Sequence, residues 1–454
     1  MHEPLTAAEY KAIAADIQFP TNAFIDGAFR PANSGKTSKT TNPATSETLA
    51  EIAACDATDV DFAVAKARQA FDDGRWHLRS PGERKAVLLE FAKLLERNRH
   101  ELAVMESLDS GKPVRECQTV DVPDTIHTIR WHAELIDKLY DNVAPVGSNA
   151  LTMVVREPVG VVGCVLPWNF PLLMLAWKIG PALAAGCTVV LKASEDGPAP
   201  LLAFAELVHE AGFPAGSVNI LTGFGHDCGQ RLTSHPLVSR VAFTGGPSTA
   251  RAIVRNTAEN LAYTTLELGG KSPVVVFADA DLDSAANAVV AGIFAASGQS
   301  CVAGSRLLVE RSIKAEFLDR LKHKAEAIRI GDPQDPATEM GPLATPRQRE
   351  WIETIVAESL ANGGTLVTGG KKPDNHPHGF YYAPTIIDAE DSALPCVREE
   401  LFGPVLSVLT FDTEAEALAL ANDTPFGLAS GVFTTNLAKA HRMVRHAMRQ
   451  SRNS

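Results

Sequence analysis

From Val159 onward the chain alternates apolar runs of strand length with amphipathic helical stretches: Val159 to Leu166, Cys187 to Leu191, Ser217 to Leu221 and Arg240 to Phe243. Strands that alternate with helices in this way wind into a parallel sheet with helices on both faces, so a Rossmann-like domain is expected. A second series follows Glu267. Strands are expected at Pro273 to Phe277, Arg306 to Glu310 and Pro404 to Leu409, and helices near 281–295, 313–327 and 345–361, which makes a second α/β domain.

The first third reads as helical after a short opening. Phe24 to Phe29 is hairpin-like and Asn42-Pro43-Ala44-Thr45 is a turn sequence. Ser80-Pro81-Gly82-Glu83 has the form of a capping box, and Val87, Leu88, Phe91, Leu94 and Leu95 follow at helical spacing. Between these helices and Val159, the alternating Leu151-Thr152-Met153-Val154-Val155 reads as one arm of a hairpin outside either sheet.

Composition narrows the function. The 42 Lys and Arg against 54 Asp and Glu give a net charge of -12, which works against nucleic acid as a partner. Seven cysteines without a C-x-x-C pair favour neither a zinc site nor a disulfide framework and fit a reducing compartment. The N-terminus lacks the basic and apolar regions of a secretory signal, and no apolar run is long enough to span a bilayer, so the expectation is a cytoplasmic protein with no membrane partner.

Two glycine segments follow strands. Gly223-Phe224-Gly225-His226-Asp227-Cys228-Gly229 is one residue longer than the dinucleotide fingerprint, and its spacing fits a plain strand-to-helix turn equally well. Phe243-Thr244-Gly245-Gly246-Pro247 outranks it: glycines before a helix start allow a pyrophosphate to approach the backbone N–H groups. Lys192 and Glu195 follow directly on a strand, at the carboxyl edge where open α/β sheets bind ligands. A carboxylate there accepts hydrogen bonds from ribose hydroxyls and repels a 2′-phosphate, which favours NAD over NADP.

Cys301 stands apart from the other six cysteines, which read as inert core residues, because its small-residue segment, Ser297 to Arg306, lets a substrate approach the sulfur. Glu267, in Leu266-Glu267-Leu268-Gly269-Gly270-Lys271, is a carboxylate among leucines, which is costly unless it is ion-paired or functional. Asn169, between two prolines in Pro167-Trp168-Asn169-Phe170-Pro171, either polarises a carbonyl or caps the next helix.

Together, and in this order, these segments resemble the NAD(P)-dependent aldehyde dehydrogenase superfamily from about Phe24 to about Arg445. The resemblance implies two Rossmann-like three-layer domains with an oligomerisation β-hairpin. Residues 1–138 and 158–265 would form the NAD-binding domain, 139–157 the hairpin, 266–445 the catalytic domain and 446–454 an atypical tail. Cys301 would be the nucleophile, Glu267 the base that activates water, and Asn169 with the Cys301 N–H an oxyanion hole. Lys192, Glu195, Gly225, Gly245, Gly246, Leu268, Glu400 and Phe402 would hold NAD, and no metal would be required. The implied reaction takes an aldehyde to the acid through a thiohemiacetal and a thioester.

Gly246 departs from the family, which often carries Ser there to hold the pyrophosphate. The chain also stops at Ser454, where the family continues into further strands, so its ending reads as truncated or frame-shifted. A homo-dimer or tetramer is implied, with the last strand of the contact missing, and a catalytically silent nucleotide-binding remnant is the alternative. Ile129 to Glu134 is similar to the branch that oxidises γ-glutamylaminobutyraldehyde and related ω-amino aldehydes, for which Asp121 and Asp124 would attract a cationic end.

Overall fold

The computed structural model describes residues 5–447; the end of the tail, from Met448, lies outside the described residues. The chain forms two compact units. The first comprises residues 1–41, 47–109 and 116–267, and the second 42–46, 110–115 and 268–454.

A seven-stranded sheet runs through the first unit in the order Tyr263–Leu268, Val238–Gly245, Val161–Val165, Thr188–Lys192, Val218–Leu221, Ala23–Ile25, Ala28–Arg30. The four central strands are parallel, and the Ala23–Ile25 strand adds antiparallel through Phe24 opposite Ile220. The chain steps outward from Val161–Val165 to the next two strands, then returns to place Val238–Gly245 on the other side. That reversal makes a topological switch point, where the carboxyl ends of neighbouring strands leave a crevice.

Helix Pro81–Arg97 begins as expected: Glu83 N–H donates to Ser80 Oγ at 3.3 Å and Ser80 N–H to Glu83 Oε2 at 2.8 Å. It buries Leu88, Phe91, Leu94 and Leu95, with Phe91 edge-on to Phe204 at 4.5 Å. Each such large apolar side chain contributes about 1.5–3 kcal/mol. Strands Asn142–Ala144 and Thr152–Val154 pair only with each other, leaving Val143, Leu151, Met153 and Val155 exposed.

The sheet of the second unit has the order Thr365–Thr368, Thr385–Asp388, Val405–Phe411, Arg306–Glu310, Pro273–Val276, Gly431–Phe433, parallel except at the Thr365 edge. Side chains alternate across it: Leu308, Val405 and Leu409 enter one core, Leu307, Val309, Leu406 and Val408 the other. This period of two puts an apolar layer on both faces.

These units divide the chain differently from the expected domains. Residues 42–46 and 110–115, assigned by sequence to the first domain, belong to the second unit because their backbones are bonded there: Phe380 N–H donates to Pro43 O at 2.9 Å and Val114 N–H to Pro333 O at 2.8 Å. Conversely Leu266 and Glu267, assigned to the second domain, lie on the edge strand of the first unit's sheet. Among the described residues no helix is long and apolar enough to cross a membrane.

Candidate functional site

In the first unit, Lys192 ends a fully buried strand and is itself 2% exposed, so it is not a surface lysine. Its Nζ donates to Ala193 O at 2.7 Å and to Glu195 Oε2 at 2.9 Å. Two of three ammonium donors are thus used, which fixes the head at the sheet's carboxyl edge with one donor left.

A cleft of about 560 Å³ opens at the switch point, lined by Val165, Gly225, His226, Gln230, Ser248, Thr249 and Ile253 among others. Gly225 starts a π-helical turn, Gly225–Gly229, so the Gly223 segment is both a turn and part of the cleft wall. Gly245 packs its Cα on Phe243; a Cβ there would lie 2.6 Å from the ring. Gly246 is the N-cap of helix Pro247–Thr257, has no side-chain cap, and has open space where a Cβ would be. Free N–H groups at a helix start, beside a cleft with an apolar floor, suit a dinucleotide's phosphates and base. The donor set therefore fits NAD.

Asn169 is buried, 7% exposed, in the loop leaving strand Val161–Val165. The helix that follows, Pro171–Ala184, takes Phe170 rather than Asn169 as its N-cap. Glu267 differs from expectation. On strand Tyr263–Leu268 alternate residues are exposed, so Glu267 points away from half-buried Leu266 and Leu268 and is itself exposed. The argument from a costly buried carboxylate does not apply, because the period of a strand sends neighbours to opposite faces.

Glu267 lines a second cleft, about 420 Å³, with Trp177, Lys178, Arg240 and Thr265. Lys178 was missed by sequence reasoning, although a lysine inside the apolar helix Pro171–Ala184 is a visible anomaly. It is 8% exposed, its Nζ donates to Thr244 Oγ1 at 2.7 Å, and burial pushes its pKa down while the Cys164 thiol and the Glu267 carboxylate oppose that shift.

In the second unit, Cys301 is half-buried, whereas the other six cysteines are buried. Burial pushes the Cys55 and Cys164 thiols up to about 12, which leaves them inert as nucleophiles at neutral pH. The chain reaches Cys301 through three consecutive left-handed residues, Ala296 (φ 48°), Ser297 (φ 56°) and Gly298 (φ 72°). Non-glycine residues there cost on the order of 1–3 kcal/mol each. The turn is tied down by Ser297 Oγ donating to Gly341 O at 2.8 Å and Ala344 N–H donating to Gln299 Oε1 at 2.9 Å.

The glycines after Leu268 serve two neighbours. A Cβ on Gly270 would meet Cys301 O at 2.6 Å, so only glycine lets the Cys301 loop pass this close. Gly270 N–H donates to Glu400 Oε1 at 2.8 Å, and burial raises the Glu400 pKa against the pull of that bond and of Lys271. Leu268 and Glu400 are half-buried beside these glycines; Phe402 sits in the left-handed region at φ 53°. Thus Asn169, Lys192, Glu195, Gly225, Gly245, Gly246 and Glu267 belong to the first unit, and Leu268, Cys301, Glu400 and Phe402 to the second. The two aspartates differ: Asp124 is exposed, whereas Asp121 is buried, with its ligand atom within 4.8 Å of those of Glu106 and Cys117.

Residues 29–449 match the aldehyde dehydrogenase family. The chain is 51% identical over 454 residues to the aminoacetaldehyde dehydrogenase of Pseudomonas aeruginosa, covering all of this chain and 89% of that protein. The crystal structure of indole-3-acetaldehyde dehydrogenase complexed with NAD+ superposes with a TM-score of 0.96 at 45% identity, covering 98% of this chain and 90% of that one. The γ-glutamyl-γ-aminobutyraldehyde dehydrogenase of Burkholderia cenocepacia gives a TM-score of 0.95 at 45% identity with the same coverage.

Proposed function

Because the chain belongs to the aldehyde dehydrogenase family, we propose that it oxidises an aldehyde to the carboxylic acid with NAD, through a thioester on Cys301. The observation that carries this reading is the Cys301 loop: a half-buried thiol presented by a left-handed turn, passing so near Gly270 that only glycine fits.

The Cys301 thiolate attacks the aldehyde carbon, forming the C–S bond of a thiohemiacetal. The Asn169 amide and the Cys301 N–H donate to the resulting oxyanion, which is where negative charge develops. NAD, when bound, supplies the acceptor for the hydride that leaves this carbon. Glu267 then removes a proton from water, whose oxygen attacks the thioester and releases acid and thiolate. A base in contact with solvent suits that role, and Lys178 lines the same cleft. Lys192 and Glu195 would hold the adenosine ribose, the N–H groups at Gly245 and Gly246 the pyrophosphate, Gly225 the base side of the cleft, and Leu268, Glu400 and Phe402 the nicotinamide end. Glu195 opposes a 2′-phosphate, which favours NAD over NADP.

For the substrate we propose an ω-amino aldehyde. Relatives named for aminoacetaldehyde and γ-glutamyl-γ-aminobutyraldehyde support this choice, as does the exposed Asp124, whereas Asp121 is buried and adds nothing to it. A homo-oligomer built through the exposed apolar hairpin of residues 139–157, and a cytoplasmic location, complete the proposal. The silent-remnant alternative is not favoured, since the family match runs through residues 29–449.

The test is NADH formation with aldehyde by the wild-type chain and by Cys301→Ala. The reading requires activity in the first and its loss in the second; turnover by Cys301→Ala refutes it. Equal kcat/KM for propanal and aminoacetaldehyde refutes the substrate class alone.

A further inference from the structure

An aromatic residue in the left-handed region is a genuine outlier, and such outliers persist only where their surroundings over-determine them. Phe402, at φ 53°, is one. Gln348, in the first turn of helix Pro346–Ala361, donates from Nε2 to Leu401 O at 2.5 Å and to Phe402 O at 3.0 Å. These two carbonyls belong to the peptide planes on either side of the Phe402 Cα. Pinning both planes fixes φ and ψ of the residue between them. A primary amide has the two N–H donors that this needs.

The contact continues toward the nucleophile. A Cβ on Gly403 would lie 2.1 Å from Ile352 Cδ1 of the same helix, so the helix packs directly on the peptide after Phe402. A Cβ on Gly298 would lie 2.1 Å from Gly403 O and 2.7 Å from Pro404 N, so the turn leading to Cys301 rests on the Gly403–Pro404 peptide, one peptide beyond the second that Gln348 pins. Gln348 itself is held by Thr345, the helix N-cap, whose Oγ1 accepts the Gln348 N–H at 3.1 Å.

We propose that Gln348 is a positioning residue: its amide clamps Phe402 in the left-handed conformation and so sets the Phe402 ring and the direction in which the chain enters Gly403, whose carbonyl the Cys301 turn rests on. The functional half of this proposal rests on the reading of Cys301 as nucleophile and Phe402 as a nicotinamide contact; the conformational half stands without it. The clamp is a single side chain distant in sequence from both residues it serves.

Gln348→Leu keeps length and bulk and removes both donors, and Gln348→Glu keeps shape and turns acceptors toward the two carbonyls. Amide hydrogen exchange on the full chain, without NAD or aldehyde, is expected to rise about tenfold at residues 402–405 in either variant. With NAD and a 1-deuterated aldehyde, kcat is expected to fall about tenfold and the deuterium isotope effect to grow, because hydride transfer becomes slower. Unchanged exchange at residues 402–405 in whichever variant folds overturns the clamp. A wild-type chain that forms no NADH counts against the proposed activity, and the exchange experiment still decides the clamp. An active chain whose kcat and isotope effect are unaltered in both variants overturns its role in positioning.

Discussion

Glu400 Oε1 accepts the Gly270 N–H at 2.8 Å, and the other carboxylate oxygen occupies the place where a Cβ on Gly269 would be, 1.9 Å from it. The obstruction is the end of a flexible side chain, so Gly269→Ala is relieved by rotating Glu400 away and losing one charge-assisted hydrogen bond, a cost of about 1.5–3 kcal/mol. The variant is expected to fold, melt lower and bind NAD more weakly in a fluorescence titration. Gly298→Ala meets backbone instead, 2.1 Å from Gly403 O at a φ of 72°, and is expected to yield little or no folded protein. Equal melting of the two variants would contradict this ranking.

Glu267→Gln retains size and removes the carboxylate proposed as the base. On the proposed mechanism acylation of Cys301 does not need it, whereas hydrolysis of the thioester does. Rapid mixing is expected to show a burst of about one NADH per subunit and then a steady rate lower by about 10²–10⁴. A variant with no burst and an unaltered steady rate would remove Glu267 from the mechanism.

Gly246 leaves both a helix cap and a Cβ-sized space unused. Gly246→Ser is expected to tighten NAD binding several-fold in a titration while changing stability by only a few tenths of a kcal/mol, the usual difference between Ser and Gly at an N-cap. Weaker binding in this variant would show that the site is not the pyrophosphate cradle.

Lys271 is 1% exposed, and burial lowers its pKa to about 8. Between there and the ordinary value of about 10.4 the unfolded chain binds more protons than the folded one, so stability rises with pH across that window. The penalty is full below about 8 and on the order of 3 kcal/mol. Lys271→Met, similar in shape, is expected to be more stable than wild type near neutral pH, with the gap in urea midpoint closing between about pH 8 and 10.5. A gap that widens with pH would contradict the assignment.

Much of this could be read before the structure, for physical reasons that also explain the failures. The strand Arg306–Glu310 and helices Leu282–Phe294 and Lys314–Glu326 announce themselves by apolar run or period. Strand Thr365–Thr368 is an exposed edge and Gly431–Phe433 is three residues long, so neither carries such a pattern. Glu267 was noticed for the wrong reason: its flanking leucines face the opposite side of an edge strand. Lys178 was legible as a charge in an apolar helix. The Gln348 clamp was not, because nothing in the letters Leu401-Phe402-Gly403 signals a left-handed aromatic residue.

The central claim concerns one covalent bond, and mass spectrometry reads it directly. Glu267→Gln, mixed with NAD and an aldehyde, is quenched in acid, weighed intact and digested. The account predicts a mass increase of one acyl group, confined to the peptide carrying Cys301. An acyl group on another residue, or none in a sample that has released stoichiometric NADH, would contradict it.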